Sequence, residues 1–559
     1  MLPMPPRALV HPSVCFVMLA FAPPAAPAQA TLVEMSGTFA GDTFGHAVAD
    51  AGDVNADGFD DYIVAAKLEL VSGVPVGAAH VFSGLDGSTL HSVAGTTFAE
   101  WFGWSVSRAG DLDNDGHDDF FVGAPHDDTA IADGGAAHVY SGATGLPLYS
   151  WYGDGYQGWF GYSVADAGDV DNDGFPDLVA GAWRDGKNGA DSGTARVFSG
   201  LNGALLHEWF GDAAGDELGF SVAGAGDTNA DGHDDVIVAT LDIDVQVLDG
   251  GGARLFSGKD GTILHQFYGD STADWYGYAV RGVGDLDGDG HDDVIVGAPR
   301  DDNNGDDSGM VRAFSGFDHS LLLQVDGPVK SQFGWSLDGL GDLNGDGVPD
   351  LIVGLPRRQS YAGEARLLSG ADGSVVASFF PSSPGYYGYS VSAAGDANGN
   401  GTTDVLVGAP FDDTSGQNAG RAELLTPICG SATTYSTGCP GEGGFVPRVV
   451  VSGCPTTANR IDIGIEEALG GSTAFLFFGS GQAPFALGGG CALDLAPVAP
   501  AVATLPLGGV GAGNGSVTLH PMIPAGFPPP YSVNLAAVVI DPSAAGGYST
   551  TGGVTLEVR

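Results

Sequence analysis

The stretch Asp285-Leu-Asp-Gly-Asp-Gly-His-Asp-Asp-Val-Ile-Val-Gly-Ala-Pro299 joins an acidic loop to an apolar run, and both halves are copied along the chain. Its first nine residues fit the pattern Asp-x-(Asp/Asn)-x-(Asp/Asn)-Gly-x-x-Asp. That pattern occurs seven times, led by Asp53, Asp111, Asp169, Asp227, Asp285, Asp342 and Asp396, at spacings of 58, 58, 58, 58, 57 and 54 residues. A near-constant period of this length marks one supersecondary unit repeated seven times. It is long for a solenoid coil and suits a four-stranded sheet, so the expected architecture is a propeller.

The loop has the chemistry of a calcium site. Calcium takes six to eight hard oxygen ligands, and a short loop supplies them when alternate side chains turn inward around a tight bend. Positions 1, 3, 5 and 9 carry the oxygens. They are Asp53, Asn55, Asp57 and Asp61 in the first loop, Asp111, Asp113, Asp115 and Asp119 in the second, and Asp169, Asp171, Asp173 and Asp177 in the third. The fourth has Asp227, Asn229, Asp231 and Asp235, and the fifth Asp285, Asp287, Asp289 and Asp293. The sixth has Asp342, Asn344, Asp346 and Asp350, and the seventh Asp396, Asn398, Asn400 and Asp404. Glycine at position 6 of every copy permits the left-handed backbone of such a bend, and position 7 offers a carbonyl. The set predicts up to seven structural Ca2+ ions. The plainer alternative, Asp/Asn/Gly turns with no ion, does not explain ligand positions fixed across seven copies. Ligand charge ranks the loops: the second, third and fifth hold four carboxylates, the first, fourth and sixth three, and the seventh two.

An EF-hand needs glutamate at position 12 followed by a helix. Here position 12 is Val64, Val122, Ala180, Val238, Val296, Val353 or Val407, inside apolar runs that read as buried strand, so EF-hand and dockerin readings fail.

The formal net charge is −50, and residues 427–559 hold only 7 Asp+Glu and 3 Lys+Arg, so the acidity belongs to the repeats. Clustered carboxylates repel one another without bound cations, and such a chain is a poor partner for nucleic acid or anionic membrane. Residues 1–30, with Arg7, an apolar stretch around residues 14–21 and Ala28-Gln29-Ala30, read as a secretory signal peptide. The expected location is therefore secreted, extracellular or associated with the cell surface, where calcium is abundant. No later apolar run of about 20 residues predicts a membrane-crossing helix. Outside the signal, four cysteines remain: Cys429, Cys439, Cys454 and Cys491. An even number in an exported chain suggests two disulfides with three possible pairings, of which Cys429 with Cys439 and Cys454 with Cys491 is favoured.

Each repeat contains four short strand-like runs divided by Gly/Asp turns, without a long helical period, which makes the chain all-β. The pairs Phe44-Gly45, Phe102-Gly103, Phe160-Gly161 and Phe333-Gly334, with Gly123-Ala-Pro125, Gly297-Ala-Pro299 and Gly408-Ala-Pro410, resemble FG-GAP repeats. Those repeats build integrin α-subunit propellers and occur in many secreted microbial proteins. The resemblance covers residues 31–426 and implies a seven-bladed β-propeller with calcium loops on one face and partner contacts on the other. Leu218-Gly219, Tyr276-Gly277 and Tyr387-Gly388 replace Phe-Gly. The fourth repeat lacks Gly-Ala-Pro, which predicts a reshaped connection after Thr240. The resemblance does not extend to the stalk modules or anchor of an integrin subunit.

With the Phe-Gly strand innermost, as the resemblance implies, Thr31-Leu-Val-Glu-Met35 becomes the outermost strand of the last blade and closes the ring. From residue 427 the texture changes. Alternating runs such as Arg448-Val-Val-Val-Ser, Thr473-Ala-Phe-Leu-Phe-Phe and Val533-Asn-Leu-Ala-Ala-Val-Val-Ile predict a small β-sandwich-like domain over 427–559, for docking, sorting or structure alone.

No His-Glu-x-x-His, Gly-x-Ser-x-Gly or P-loop pattern occurs. The acids Asp127, Asp128, Asp301, Asp302, Asp412 and Asp413 are expected to cap turns rather than act as acid/base pairs. Trp101, Trp104, Trp159, Trp275, Trp335 and Tyr386 are expected to pack between blades rather than stack on sugars. The expected function is therefore a secreted, calcium-binding scaffold for adhesion or for an extracellular protein or glycan ligand, not an enzyme. The competing expectation is an extracellular carbohydrate-active enzyme that uses the propeller's central funnel.

Overall fold

The computed structural model describes residues 31–242, 250–399 and 401–427 in full and, between 431 and 558, the backbone of strands alone. The signal segment, the four cysteine side chains, Asn400 and most of the reshaped fourth-repeat connection lie outside the described residues.

Seven four-stranded antiparallel sheets form the blades of a β-propeller. Blade 3 is representative, running from Ser163–Gly168 through Asp177–Ala182 and Thr194–Phe198 to Leu205–Phe210. The first strand of each blade is innermost. Each inner strand touches those of both neighbouring blades, and the contacts run once around the ring and close. Close approach there requires small residues: a Cβ placed on Gly282 would lie 2.8 Å from Ala225 Cα of the previous blade.

Stacking of blades explains why the second strands are apolar throughout rather than alternating. Asp61–Ala66, Asp119–Ala124, Asp177–Ala182, Asp235–Thr240 and Asp293–Ala298 are buried at every residue, because a neighbouring blade covers each face. Between blades 4 and 5, for example, Ile237, Ala239 and Leu255 pack with Val294, Val296 and Met310. Burying a side chain of this size contributes about 1.5–3 kcal/mol. Seven such layers make the core.

The Phe-Gly pair is the seam between blades. Phe160 is buried, and its N–H donates to Gly134 O of the preceding blade at 2.9 Å. Gly161 has φ +81°, and a Cβ there would meet Ala136 O at 2.1 Å. Only glycine lets the chain pass this close to its neighbour while turning into the inner strand. Leu218, Tyr276 and Tyr387 fill the same buried position in their blades.

Blade 7 is built from both ends of the repeat region. Ser390–Ala393, Val405–Ala409 and Arg421–Leu425 supply its inner three strands, and Thr31–Ser36 is the outer one. Glu34 lies opposite Glu423 and Met35 opposite Ala422, so the N-terminal strand closes the ring as expected. Beyond residue 430, Arg448–Ser452, Thr473–Gly479 and Tyr531–Ile540 are strands where the sequence alternates, and the last two pair antiparallel.

Candidate functional site

All seven acidic loops join an inner strand to the second strand, so they gather at one face of the ring. Within each loop the first aspartate folds the chain over itself. Asp111 Oδ1 accepts the Asp115 N–H at 3.0 Å and Oδ2 accepts that of Gly116 at 2.9 Å, while Asp115 Oδ1 accepts from His117 N at 3.0 Å. The same bonds form at Asp53, Asp169, Asp227, Asp285 and Asp342. In the seventh loop Asp396 Oδ2 accepts from Gly401 N at 2.8 Å.

The ninth-position aspartates are fully buried. Asp177 Oδ2 accepts from Val170 N and Asp171 N at 2.8 and 3.1 Å, and Oδ1 from Gly200 N, between the third and outer strands, at 3.0 Å. This carboxylate therefore ties loop to blade. Burial pushes Asp61, Asp119 and Asp177 up to about 7 and Asp235, Asp293, Asp350 and Asp404 up to about 6, against the lowering effect of those N–H donors.

Several features fit a hard divalent cation. In the second, third and fifth loops three acids offer oxygens within 4.8 Å of one another: Asp111, Asp113 and Asp115; Asp169, Asp171 and Asp177; and Asp285, Asp287 and Asp289. In the first and fourth loops Asn55 Oδ1 and Asn229 Oδ1 are buried without a hydrogen-bond partner at a position assigned to a ligand. The asparagine amide nitrogen also donates to the buried carboxylate, Asn229 Nδ2 to Asp235 at 3.3 Å. Asn344 Nδ2 donates to Asp350 at 2.9 Å and Asn398 Nδ2 to Asp404 at 2.8 Å.

Position 8, invisible as a site in the sequence, links neighbouring loops. Asp118 accepts the N–H of Asp53 at 3.0 Å, Asp234 that of Asp169 at 2.7 Å, Asp292 that of Asp227 at 3.0 Å, and Asp60 that of Asp396 at 2.7 Å across the closure. Glycine precedes each receiving loop because a Cβ on Gly52 would sit 2.0 Å from Asp118 Oδ2. Two of the other loops carry Pro176 and Pro349 at position 8. The histidines at position 7 also bridge blades, with His117 Nδ1 2.7 Å from Val54 O, His233 Nδ1 2.8 Å from Val170 O and His291 Nδ1 2.9 Å from Thr228 O. The sequence signal was only partial, aspartate at position 8 in four loops and histidine at position 7 in three, and reading each loop in isolation misses it.

The opposite face is aromatic. His46, Trp104, Tyr162, Phe220, Tyr278, Trp335 and Tyr389, one from each blade, form a closed ring with successive centroids 4.5–5.4 Å apart. Trp101, Trp159, Trp275 and Tyr386 lie beside it. All six aromatics expected between blades are half-buried. Their placement corrects that expectation: the Phe-Gly residue fills the interblade layer and its sequence neighbours face the axis. Cations rest on this rim, Lys67 4.1 Å from the Trp104 ring, Arg184 4.6 Å from Trp159 and Arg300 3.5 Å from Trp275. Burial lowers Lys67 to about 8. His126, Arg184 and Arg300 follow a Gly-Ala-x segment and Arg357 follows Gly354-Leu-Pro356, a pattern the sequence also contained.

The paired aspartates cap turns as expected. Asp127 and Asp128 accept from Thr129 N and Asp133 N at 2.7 Å, and Asp412 and Asp413 from Thr414 N at 2.8 Å and Asn418 N at 2.7 Å. Deeper in the channel Arg281 pairs with Asp338 at 2.8 Å and Arg108 with Asp118 at 2.8 Å. Among the described residues no helix is long and apolar enough to cross a membrane.

The family model described as FG-GAP repeat matches residues 102–140 and 276–314, and that described as FG-GAP-like repeat matches 335–407. Integrin alpha-5 of Xenopus laevis is 30% identical over 229 residues, covering 36% of this chain and 21% of its own length. Integrin alpha-6 of Homo sapiens is 32% identical over 158 residues, 26% of this chain and 14% of that one. Integrin alpha-IIb of Mus musculus is 33% identical over 165 residues, 26% and 16% respectively. The matched part spans about a fifth or less of these relatives.

Proposed function

We propose, from the premise that this chain is an FG-GAP repeat protein with an integrin-α-like propeller, that it is a secreted scaffold that binds an extracellular protein or glycan and is held rigid by calcium. The carrying observation is the division of chemistry between the two faces. Acidic loops of one design repeat around one face, and a rim of aromatic rings bearing cations surrounds the axis on the other. Calcium would be held by the residues at positions 1, 3, 5 and 9 of each loop. It would neutralise carboxylates that otherwise repel across a few ångströms, keeping the ninth-position acids ionised although buried.

Aromatic faces with guanidinium and ammonium groups recognise acidic or ring-bearing ligands, so the rim is the binding face in this reading. Integrins are adhesion receptors, and a non-enzymatic role agrees with that kinship. Asp127 and Asp412 of the paired aspartates are engaged in turn caps.

Two measurements on the full chain test the proposal. Elemental analysis after exhaustive dialysis should find calcium bound, and arrays of extracellular proteins and glycans should show retention that is lost on rim substitution. Turnover of any arrayed polysaccharide would overturn the scaffold reading. A calcium-free protein with an unchanged melting curve in chelator would overturn the role of the metal.

A further inference from the structure

Three aspartates that play no part in the repeated loops meet at the rim end of blade 5. Asp270 follows the outer strand of blade 4, Ile263–Tyr268. Asp274 lies two residues before Tyr276-Gly277, and Asp301 lies just beyond Gly297-Ala-Pro-Arg. One carboxylate oxygen from each stands within 4.8 Å of the others.

Two of these acids are enclosed. Asp274 is 4% exposed and Asp301 0%. Asp274 Oδ2 and Asp301 Oδ2 are both buried, and neither has a hydrogen-bond partner among the described residues. Asp301 Oδ1 accepts from Asn303 N at 2.8 Å, and Asp270 Oδ2 accepts from Arg312 Nη2 at 2.7 Å. A single guanidinium, held by the exposed Asp270, stands against three carboxylates, and water does not reach Asp274 Oδ2 or Asp301 Oδ2. Unpaired buried charge of this kind is strongly unfavourable unless a cation or a proton enters.

The equivalent positions of other blades are better satisfied: Asp42, four repeats before Asp274, also buries one oxygen, Oδ1, without a partner, but its Oδ2 accepts from Thr38 N and Phe39 N at 3.1 and 2.7 Å. Asp216, the counterpart of Asp274 one repeat earlier, directs Oδ2 to the N–H groups of Asp212 and Ala213 at 2.7 and 3.0 Å. Glu100, three repeats before Asp274, is satisfied by Thr96 N and Thr97 N at 2.7 and 2.9 Å. Asp412, the counterpart of Asp301, accepts from Thr414 N and from the Ser383 hydroxyl. Only at blade 5, among the described residues, do all three positions carry acids with two oxygens left free.

We propose that Asp270, Asp274 and Asp301 form an additional cation site, selective for a hard divalent ion such as Ca2+, on the face opposite the repeated loops. The donors are all carboxylate oxygens, which suit calcium, magnesium and manganese rather than the nitrogen- and sulfur-seeking metals. Irregular placement by two loops favours calcium, whose coordination tolerates it, over magnesium, which demands near-octahedral geometry. The ion would fasten the segment entering blade 5 to the segment leaving its second strand. Trp275 and Arg300, sequence neighbours of two of the ligands, stack at 3.5 Å, so the site also fixes one cation-bearing element of the rim.

Crystals of the full unaltered chain soaked in Mn2+ provide the deciding measurement. The expected result is an anomalous peak within coordination distance of Asp274 and Asp301, whatever the occupancy of the seven loops. Absence of a peak there at saturating Mn2+ overturns the proposal, and it would assign the buried pair a shared proton instead. In solution, Asp301→Asn should bind one ion fewer per chain and lose part of the calcium-dependent rise in melting temperature. If Asp301→Asn binds as many ions as the unaltered protein and is more stable at pH 8, the proton and not the metal occupies the site.

Discussion

The loop face and the rim face are the two ends of the same strands, yet they are built by opposite rules. On the loop face the chain repeats itself: the ninth-position carboxylate takes the same backbone donors in copy after copy, and position 8 or 7 reaches to the loop alongside. On the rim the ring position holds histidine, tryptophan, tyrosine or phenylalanine, and the residues beside it include Lys67, His126, Arg184 and Arg300. Repetition serves a structural task that each blade must perform. Variation around a fixed aromatic frame gives the rim a surface whose chemistry differs from one side to the other. The fold is secured at one face, which frees the other to diverge.

Removing Thr31–Ser36 should break both faces at once. Blade 7 would lose its outer strand, and the edge at Arg421–Leu425 would be left unpaired. The expected outcome is aggregation or loss of hydrogen-exchange protection across 405–425; full protection there in the deleted chain would mean that the ring does not depend on this strand.

Asp293→Ala attacks the loop face alone. Leu286 N and Gly316 N lose their acceptor in a buried site, at about 1–3 kcal/mol for each orphaned group. Denaturant titration should place this variant about 3–5 kcal/mol below the unaltered protein. A loss no larger than that of the exposed turn cap Asp302→Ala would erase the distinction between buried and surface aspartates.

In chelator, stability should fall as pH rises from about 4 to about 7. An unfolded aspartate titrates near 4, whereas burial raises Asp61, Asp119 and Asp177 to about 7 and Asp293 and Asp350 to about 6. Between those values the native state holds more protons than the unfolded chain, so each added pH unit favours unfolding. Saturating calcium should abolish this slope. Melting temperatures that rise from pH 4 to 7 in chelator would contradict it.

The smallest effect is expected at the rim. Trp335→Phe retains an aromatic ring between Tyr278 and Tyr389, centroids 4.5 and 5.4 Å away, and should cost no more than about 1 kcal/mol. Its consequence should appear in ligand retention. An unfolding loss comparable to Asp293→Ala would show that the rim, too, carries the fold.

The period, the Phe-Gly seam and the closing strand were legible because each is written within one repeat or in the phase between repeats. The turn-capping role of Asp127 and Asp412 was legible for the same reason, since acceptor and donor are two residues apart. The contacts that escaped the sequence run between repeats. Asp118 and Asp53 are 65 positions apart, and nothing local announces that one carboxylate will meet the other's N–H. The aromatic ring needs seven residues from seven blades brought to one radius, and Trp104 or Trp335 taken singly reads as core. Asp270, Asp274 and Asp301 come from two loops that only the blade geometry places together.

Glu34 pairs with Glu423 across almost the whole repeat region, which makes the last blade the one element that cannot form early. During synthesis at roughly 5–20 residues per second, the opening strand waits on the order of 20–80 seconds for its partner to emerge. Blades 1 to 6 can assemble in order from contiguous chain, while the seventh depends on a contact of very high sequence separation, the kind that slows folding. Release of the finished ring is thus timed by its final strand, and a chain truncated anywhere before Arg421 leaves its first strand without a partner.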